Sequence, residues 1–247
     1  MIPLKSVEEI KIMSEGGKRL AGVMKAVLDQ IKPGMSLKKV DFLADELIEK
    51  QGGKPSFKMV EGYHWATCLN VNQGVVHGVP DDYRLKEKDF LSFDIGMFYQ
   101  GFHTDMARTI KVDRKQTDFL KVGEKALAEA IEAAKPGNRV GHLSLAIEKE
   151  IKKSGFVPIR ALVGHGVGKK LHEEPQIPGY LQGKIESTEE LKPGMTLAIE
   201  VIYTQGKPEV KVEDDGWTVE TVDGQLAALF EDTVAVTNQG AKRLTWL

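Results

Sequence analysis

Apolar residues recur every three or four positions near the start of the chain, at Ile10, Met13, Gly17, Leu20, Val23, Met24, Val27 and Leu28, and again at Val40, Leu43, Leu47 and Ile48. That period predicts two amphipathic helices. Ser6 and Glu9 stand at capping-box spacing before the first, which runs towards Pro33-Gly34; Ser36 caps the second, and Gly52-Gly53 stops it. From Pro55 to Pro80 the helical period is lost and β-formers increase, and an acidic turn at Asp81-Asp82 leads into FDIGMFYQGFHTDMART at 93 to 109. This stretch reads as a hairpin closed by a two-residue turn at Tyr99-Gln100 or Gln100-Gly101. Two more helices follow, one through Phe119, Val122, Ala126, Ala130 and Ile131 to Pro136-Gly137, the other through Leu143, Leu145, Ile147 and Ile151 to Gly155. MTLAIE, ending at Glu200, and LFEDTVAVT, containing Glu231, read as apolar strands, with turns at Asp214-Asp215-Gly216 and Asp223-Gly224 before the second.

The pattern repeats along the chain. IKPGMSLKKVDFLADELIEKQGG at 31 to 53 aligns with AKPGNRVGHLSLAIEKEIKKSGF at 134 to 156, an offset of 103, and LKEKDFLSFD at 85 to 94 aligns with LKPGMTLAIE at 191 to 200, an offset of 106. Nearly constant offsets point to duplication of a helix-helix-strand unit, hence one domain of two halves, about 1–113 and 114–247, with pseudo-twofold symmetry. The alignment sets Asp94 on Glu200.

Composition narrows the setting without choosing a function. The chain has 247 residues, 41% hydrophobic and 28% charged, with net charge −2 and a pI near 6.3. Nothing in that balance recruits nucleic acid or an anionic membrane. Cys68 is the one cysteine, so neither an internal disulfide nor a Cys-x-x-Cys zinc site can form. No stretch approaches a membrane span and the first residues hold no uninterrupted apolar segment, from which a cytoplasmic protein is expected.

The candidate chemistry lies on the predicted strands. In either register of the hairpin, Asp94 lies opposite Asp105 or one same-face step from it, because residues two apart on a strand share a face. Like charges that close are destabilising unless a cation sits between them. An Asp at a strand end beside a solvent-facing Asp is the bland alternative. Symmetry with Glu200, and Glu231 within a second apolar strand, suggests two further carboxylates at the same centre, although either alone also fits a satisfied or edge-exposed glutamate. In LVGHGVGKKLHEEP, glycines at 164, 166 and 168 let the backbone approach a ligand, but no phosphate-loop Lys-Ser pair follows. His165, between two of these glycines, is the fifth candidate ligand; His172, seven further on (172 − 165 = 7), is expected beside the ligands rather than among them.

With these residues assembled, the chain resembles the type I methionine aminopeptidases over nearly its full length. NVNQGVVHGVP at 70 to 80, FDIG at 93 to 96, FHTDMART at 102 to 109, GHGVGKKLHEEPQIP at 164 to 178, LAIE at 197 to 200 and FEDTVAVT at 230 to 237 carry the resemblance by their order and spacing. It implies an α/β (α+β) pita-bread fold, a duplicated arrangement in which a curved antiparallel sheet is covered by two pairs of helices. It also implies a two-metal centre on Asp94, Asp105, His165, Glu200 and Glu231, with Asp105 and Glu231 bridging. Such an oxygen-rich donor set favours Mn, Fe or Co over a closed structural zinc site, with Zn a further candidate for the two divalent ions.

The implied reaction removes an initiator methionine from nascent proteins when the second residue is small. A hydroxide shared by the ions attacks the first peptide carbonyl, Glu200 relays its proton to the leaving amine, His172 donates to the carbonyl oxygen and His77 to the scissile amide. Tyr63, Cys68, Trp217 and Leu171 match positions lining the methionine slot, Leu171 standing where an aromatic is frequent. The chain departs from the family pattern at 57 to 68, at Val201, where a proline is usual, and at Gly179, where Asn or His is usual. His103 and His142 read as structural.

Xaa-Pro aminopeptidases and prolidases share the fold and the five ligands and are the main alternative; they usually carry a large N-terminal domain, and this chain begins about ninety residues before Asp94. Type II methionine aminopeptidases carry a long insertion for which the 34 residues between His165 and Glu200 (200 − 165 = 35) leave no room. A non-catalytic relative is expected to have lost ligands. A monomer acting on nascent N-termini is expected, with any ribosome contact made by the surface of the catalytic domain.

Overall fold

A computed structural model describes residues 2–246. The capping box forms as the sequence predicts: Ser6 Oγ accepts from Glu9 N and Glu9 Oε2 from Ser6 N. Helix α1 then runs Val7–Leu28, ending at the last of its regularly spaced apolar residues. Helix α2 (Leu37–Lys50) starts where Ser36 Oγ accepts from Lys39 N. Short strands β1 (Lys54–Pro55), β2 (Thr67–Val71) and β3 (Gly74–Val76) lead to the long hairpin of β4 (Phe90–Tyr99) and β5 (Phe102–Lys111). A second pair of helices follows, α3 (Asp118–Ala133) and α4 (Val140–Lys153), then β6 (Val157–Pro158), β7 (Val163–Gly166), β8 (Glu173–Pro178) and β9 (Thr196–Thr204). Strands β10 (Val210–Val212), β11 (Val219–Thr221), β12 (Ala227–Thr237) and β13 (Gly240–Arg243) complete the chain.

Of the two turns compatible with the hairpin sequence, the second forms. Tyr99 pairs with Phe102, and Gln100 and Gly101 both take positive φ, 46° and 93°, as a two-residue turn of this twist requires. Ten strands make one antiparallel sheet whose main path is β1-β4-β5-β12-β9-β7-β8, with β2 on β4, β6 on β9 and β13 on β12; β10, β11 and β3 form a separate three-stranded sheet. Lys54 pairs with Phe98 and Val157 with Thr204, so corresponding pairs recur at the offsets seen in the sequence (157 − 54 = 103; 204 − 98 = 106).

Period-two alternation divides the sheet into two faces. Phe93, Ile95, Met97 and Met106 turn towards α1 and α2 and join Leu20, Met24, Val27, Val40 and Ile48 in one core. Ile199, Val201, Tyr203, Phe230 and Val234 join Phe119, Leu127, Leu143 and Ile147 of α3 and α4 in another. Full burial contributes about 1.5–3 kcal/mol for each large apolar side chain, so register is held firmly. A one-residue slip would turn these chains out and the acidic residues in. Val201 is among these chains, so its departure from the family pattern falls on the helix-packed face.

Candidate metal centre and substrate pocket

On the face turned away from the helices, the acidic residues fall in two neighbouring rows. Asp94 is opposite Ala107, Ala107 opposite Glu231, and Glu231 opposite Glu200. In the next row Gly96 is opposite Asp105, Thr233 opposite Ala198, and Ala198 opposite His165. Five strands adjacent in the sheet, β4, β5, β12, β9 and β7, thus contribute one candidate ligand each. Ala107, Gly96 and Ala198, on the same face, leave the space between them open. Glu200 stands in the middle of β9, not at a strand end as the run MTLAIE suggested, and Glu231 lies inside β12, paired on one side with Ala107 and on the other with Glu200.

Asp94, Asp105, His165 and Glu231 are nearly withdrawn from water, at 8%, 3%, 9% and 2% exposed, and the Glu200 side chain is 13% exposed. Removing a carboxylate from water costs several kcal/mol unless a charge or hydrogen bonds replace the solvent. No lysine or arginine among the described residues pairs with any of the four; the one ion-pair neighbour is His165, whose Nε2 lies 3.5 Å from Glu200 Oε1. Burial pushes the Asp105 carboxyl up to about 7. Burial, with the other carboxylates, raises Asp94 through Asp105 and Glu200, Glu200 through Asp105, and Glu231 through all three, each well above the carboxylate range. Asp94 Oδ1 and Glu231 Oε1 are buried without any hydrogen-bond partner.

A divalent cation fits these facts. Ligand atoms of Asp105, His165 and Glu231 lie within 4.8 Å of one another, and the orphaned oxygens are acceptors waiting for a positive group. His165 Nδ1 lies 2.8 Å from the carbonyl of Gly166, so that nitrogen donates and Nε2, facing Glu200, is left with its lone pair. Burial, then the His172 ring, lowers the His165 pKa to about 4 and keeps it neutral, as a ligand must be.

All eleven residues singled out in the sequence line one cavity of about 130 Å³. His172, in the loop before β8, stacks edge-on against His165 with centroids 4.5 Å apart and keeps an exposed side at the mouth. His77 stands at the same mouth, solvent-exposed along one edge. Its φ of +56° is sustained by its neighbours: Gly78 N donates to Asn70 Oδ1 at 2.9 Å, and a Cβ on Gly78 would come within 2.2 Å of the Leu69 carbonyl. The protein around both rings lowers the His77 and His172 pKa values, His77 further through His172.

The inner end of the cavity is apolar. Tyr63, Cys68 and Leu171 form one buried cluster with Phe57, joined by Val60 and Trp217. Tyr63 and Trp217 meet edge to face at 5.1 Å, and Tyr63 Oη donates to the Thr67 carbonyl at 2.8 Å, so its ring is fixed. Phe57 and Val60 were not identified from sequence. They sit in a non-periodic segment and enter the slot through a single 3-10 turn, Phe57–Met59. His103 and His142 are structural, as expected: His103 Nδ1 lies 2.9 Å from Ser56 Oγ, and His142 Nδ1 accepts from Arg139 N at the start of α4.

Known proteins share this fold. The model for metallopeptidase family M24 matches residues 11–238. "Methionine aminopeptidase 1" of Bacillus subtilis is 42% identical, and "Methionine aminopeptidase" of Clostridium perfringens 38%, each match covering 99% of both chains. The crystal structure of methionine aminopeptidase from Thermotoga maritima superposes with a TM-score of 0.96 at 41% identity, over 100% of both chains. A prolidase from Pyrococcus furiosus reaches a TM-score of 0.78 at 27% identity, over 99% of this chain but only 65% of its own. With the fold, an acidic site suited to metal and full-length matches in agreement, the chain belongs to metallopeptidase family M24 and, within it, groups with the methionine aminopeptidases.

Proposed function

We propose that this protein is a metal-dependent aminopeptidase that removes the N-terminal methionine from newly made proteins whose second residue is small. The observation that carries the reading is the junction of two unlike environments in one small cavity: buried carboxylates with orphaned oxygens at one end, a sulfur- and aromatic-lined slot at the other. Full-length agreement with the methionine aminopeptidases, against partial coverage of a longer prolidase, favours this reading over Xaa-Pro cleavage. The compartment is then the cytoplasm, and the protein is one catalytic domain built from two copies of a unit, about 1–113 and 114–247.

Asp94, Asp105, His165, Glu200 and Glu231 would hold two divalent ions, Mn, Fe, Co or Zn. Once bound, these ions supply Lewis-acid polarisation of the scissile carbonyl and bring the pKa of a water towards neutrality. Glu200 takes the proton of the attacking water on a carboxylate oxygen and passes it to the leaving amine nitrogen. His172 donates a ring N–H to the carbonyl oxygen as charge develops there, and His77, also at the mouth, holds the scissile amide. Their lowered pKa values keep both rings neutral near pH 7, each with one N–H to give. Tyr63, Cys68, Leu171 and Trp217 hold the methionine side chain, whose flexible thioether suits aromatic and sulfur neighbours.

Purified protein supplied with Mn(II), Co(II) or Fe(II) and offered Met-Ala-Ser, Met-Pro and Ala-Pro peptides tests the proposal. Release of methionine from Met-Ala-Ser, lost as the second residue becomes bulky, supports it. Cleavage restricted to Xaa-Pro bonds would transfer the protein to the prolidases.

A further inference from the structure

The two central strands meet over an unusually short ladder. β5 and β12 pair only at Ala107/Glu231 and Met106/Asp232, whereas β12 and β9 share nine pairs, from Ala227/Thr204 to Ala235/Thr196. On either side of the short run a threonine hydroxyl replaces the ladder. Thr233 Oγ1 accepts from Asp105 N and donates to Asp105 O, both at 2.8 Å. Thr109 Oγ1 accepts from Leu229 N at 2.9 Å and donates to Leu229 O at 2.8 Å. Between them, from the face opposite the carboxylates, Arg108 Nη1 donates to the carbonyls of Ala107 and Glu231 at 2.8 and 2.6 Å, and Nη2 to both oxygens of Asp232 at 2.8 and 3.0 Å.

One planar guanidinium is therefore bonded to the main chain of Glu231, to the residue two positions from Asp105, and to a carboxylate with no exposed surface. Asp232 is itself held by Arg243 Nε at 3.2 Å and Thr245 Oγ1 at 3.1 Å, so the far side of the fork is anchored as well. A lysine ammonium cannot reproduce four donations in one plane. Because backbone pairing across the seam is confined to two residue pairs, the side chains that bridge it, with the Arg108 fork at their centre, share in setting the spacing of the strands that carry Asp105 and Glu231.

We infer that Arg108 is a positioning residue of the metal centre: by clamping β5 to β12 from behind, it fixes how far apart the Asp105 and Glu231 carboxylates stand. This rests on the proposed reading of those carboxylates as metal ligands. A guanidinium that merely filled the core would matter for stability but not for the affinity of the folded protein for metal.

The test compares the parent with Arg108→Lys and Thr233→Val, each stripped of metal, for fold by circular dichroism, for Mn(II) affinity by calorimetry, and for kcat and KM on Met-Ala-Ser. Arg108→Lys is expected to stay folded, to bind Mn(II) about 10–100-fold more weakly, as loss of a group supporting the ligands does, and to lose kcat with little change in KM. Should Arg108→Lys not fold, Thr233→Val decides, since it nearly keeps the volume and removes only the seam hydroxyl; weaker Mn(II) binding is expected there, with rescue by Thr233→Ser. A folded variant that binds Mn(II) within about twofold of the parent overturns the inference. Failure of the parent itself to bind Mn(II) would instead overturn the metal reading beneath it.

Discussion

Chelation of metal should make the folded protein less stable as the pH rises, in a window that isolates the four buried carboxyls. Their folded pKa values are raised, Asp105 to about 7 and Asp94, Glu200 and Glu231 well above their ordinary range. A raised carboxyl contributes stability that is complete below its unfolded pKa, near 4, and is lost as the pH rises through the folded value. The histidines act in the opposite sense. His77, His103, His165 and His172 are lowered, His103 and His165 to about 4, so their contribution is complete only about one unit above the unfolded value of roughly 6.5 and is lost as the pH falls. Between pH 7.5 and 8.5 the histidines are therefore nearly flat and the carboxyls dominate. Each proton kept by the fold but released by the unfolded chain costs about 1.4 kcal/mol per pH unit. One such proton held across the window costs about 1.4 kcal/mol, or roughly 3–6 °C in Tm for a chain of this size. Asp41 and Asp232 are also raised by burial, but away from the ligand set, and contribute equally with or without metal. Thermal melts in EDTA and in excess Mn(II) at several pH values separate the two contributions. The EDTA series should fall with pH, while the Mn(II) series should hold or rise, because metal takes the place of the protons. Parallel series, or a metal-free Tm that rises from pH 7.5 to 8.5, would refute the reasoning.

Three substitutions extend the account. Asp105→Asn removes the one carboxylate that raises all three of the others and should abolish turnover while making the metal-free protein more stable at pH 8; near-full turnover would contradict the assignment. His172→Ala should lower kcat by about 10²–10³ with Mn(II) affinity unchanged, and calorimetry alongside kinetics on Met-Ala-Ser checks both halves of that statement. Lys5→Met leaves Glu173, paired with Lys5 where both side chains are only 4% and 6% exposed, as an uncompensated buried charge. A loss of about 3–5 kcal/mol is expected on denaturant unfolding, largely recovered when Glu173→Gln is added.

Much of the site could be read along single strands, because period-two alternation is local. Hairpin geometry alone puts Asp94 either opposite Asp105 or one same-face step from it, and the structure takes the second of these through the turn at Gln100-Gly101. The helix starts at Ser6 and Ser36 were legible for the same reason, since a cap and its partner are three residues apart. What remained hidden depends on partners distant in sequence. Arg108 and Asp232 are 124 residues apart, Lys5 and Glu173 168. No spacing rule joins such pairs before the sheet order is known. Phe57 and Val60 stayed invisible because an irregular segment carries no period, and it is the surrounding fold that turns them into the slot.

Anomalous diffraction from crystals of the metal-stripped protein resupplied with Mn(II) tests the central claim most directly. The account predicts two manganese peaks enclosed by Asp94, Asp105, His165, Glu200 and Glu231, with none where Asp105→Asn crystals are treated alike. Manganese bound elsewhere, or no peak among these five side chains, would contradict it.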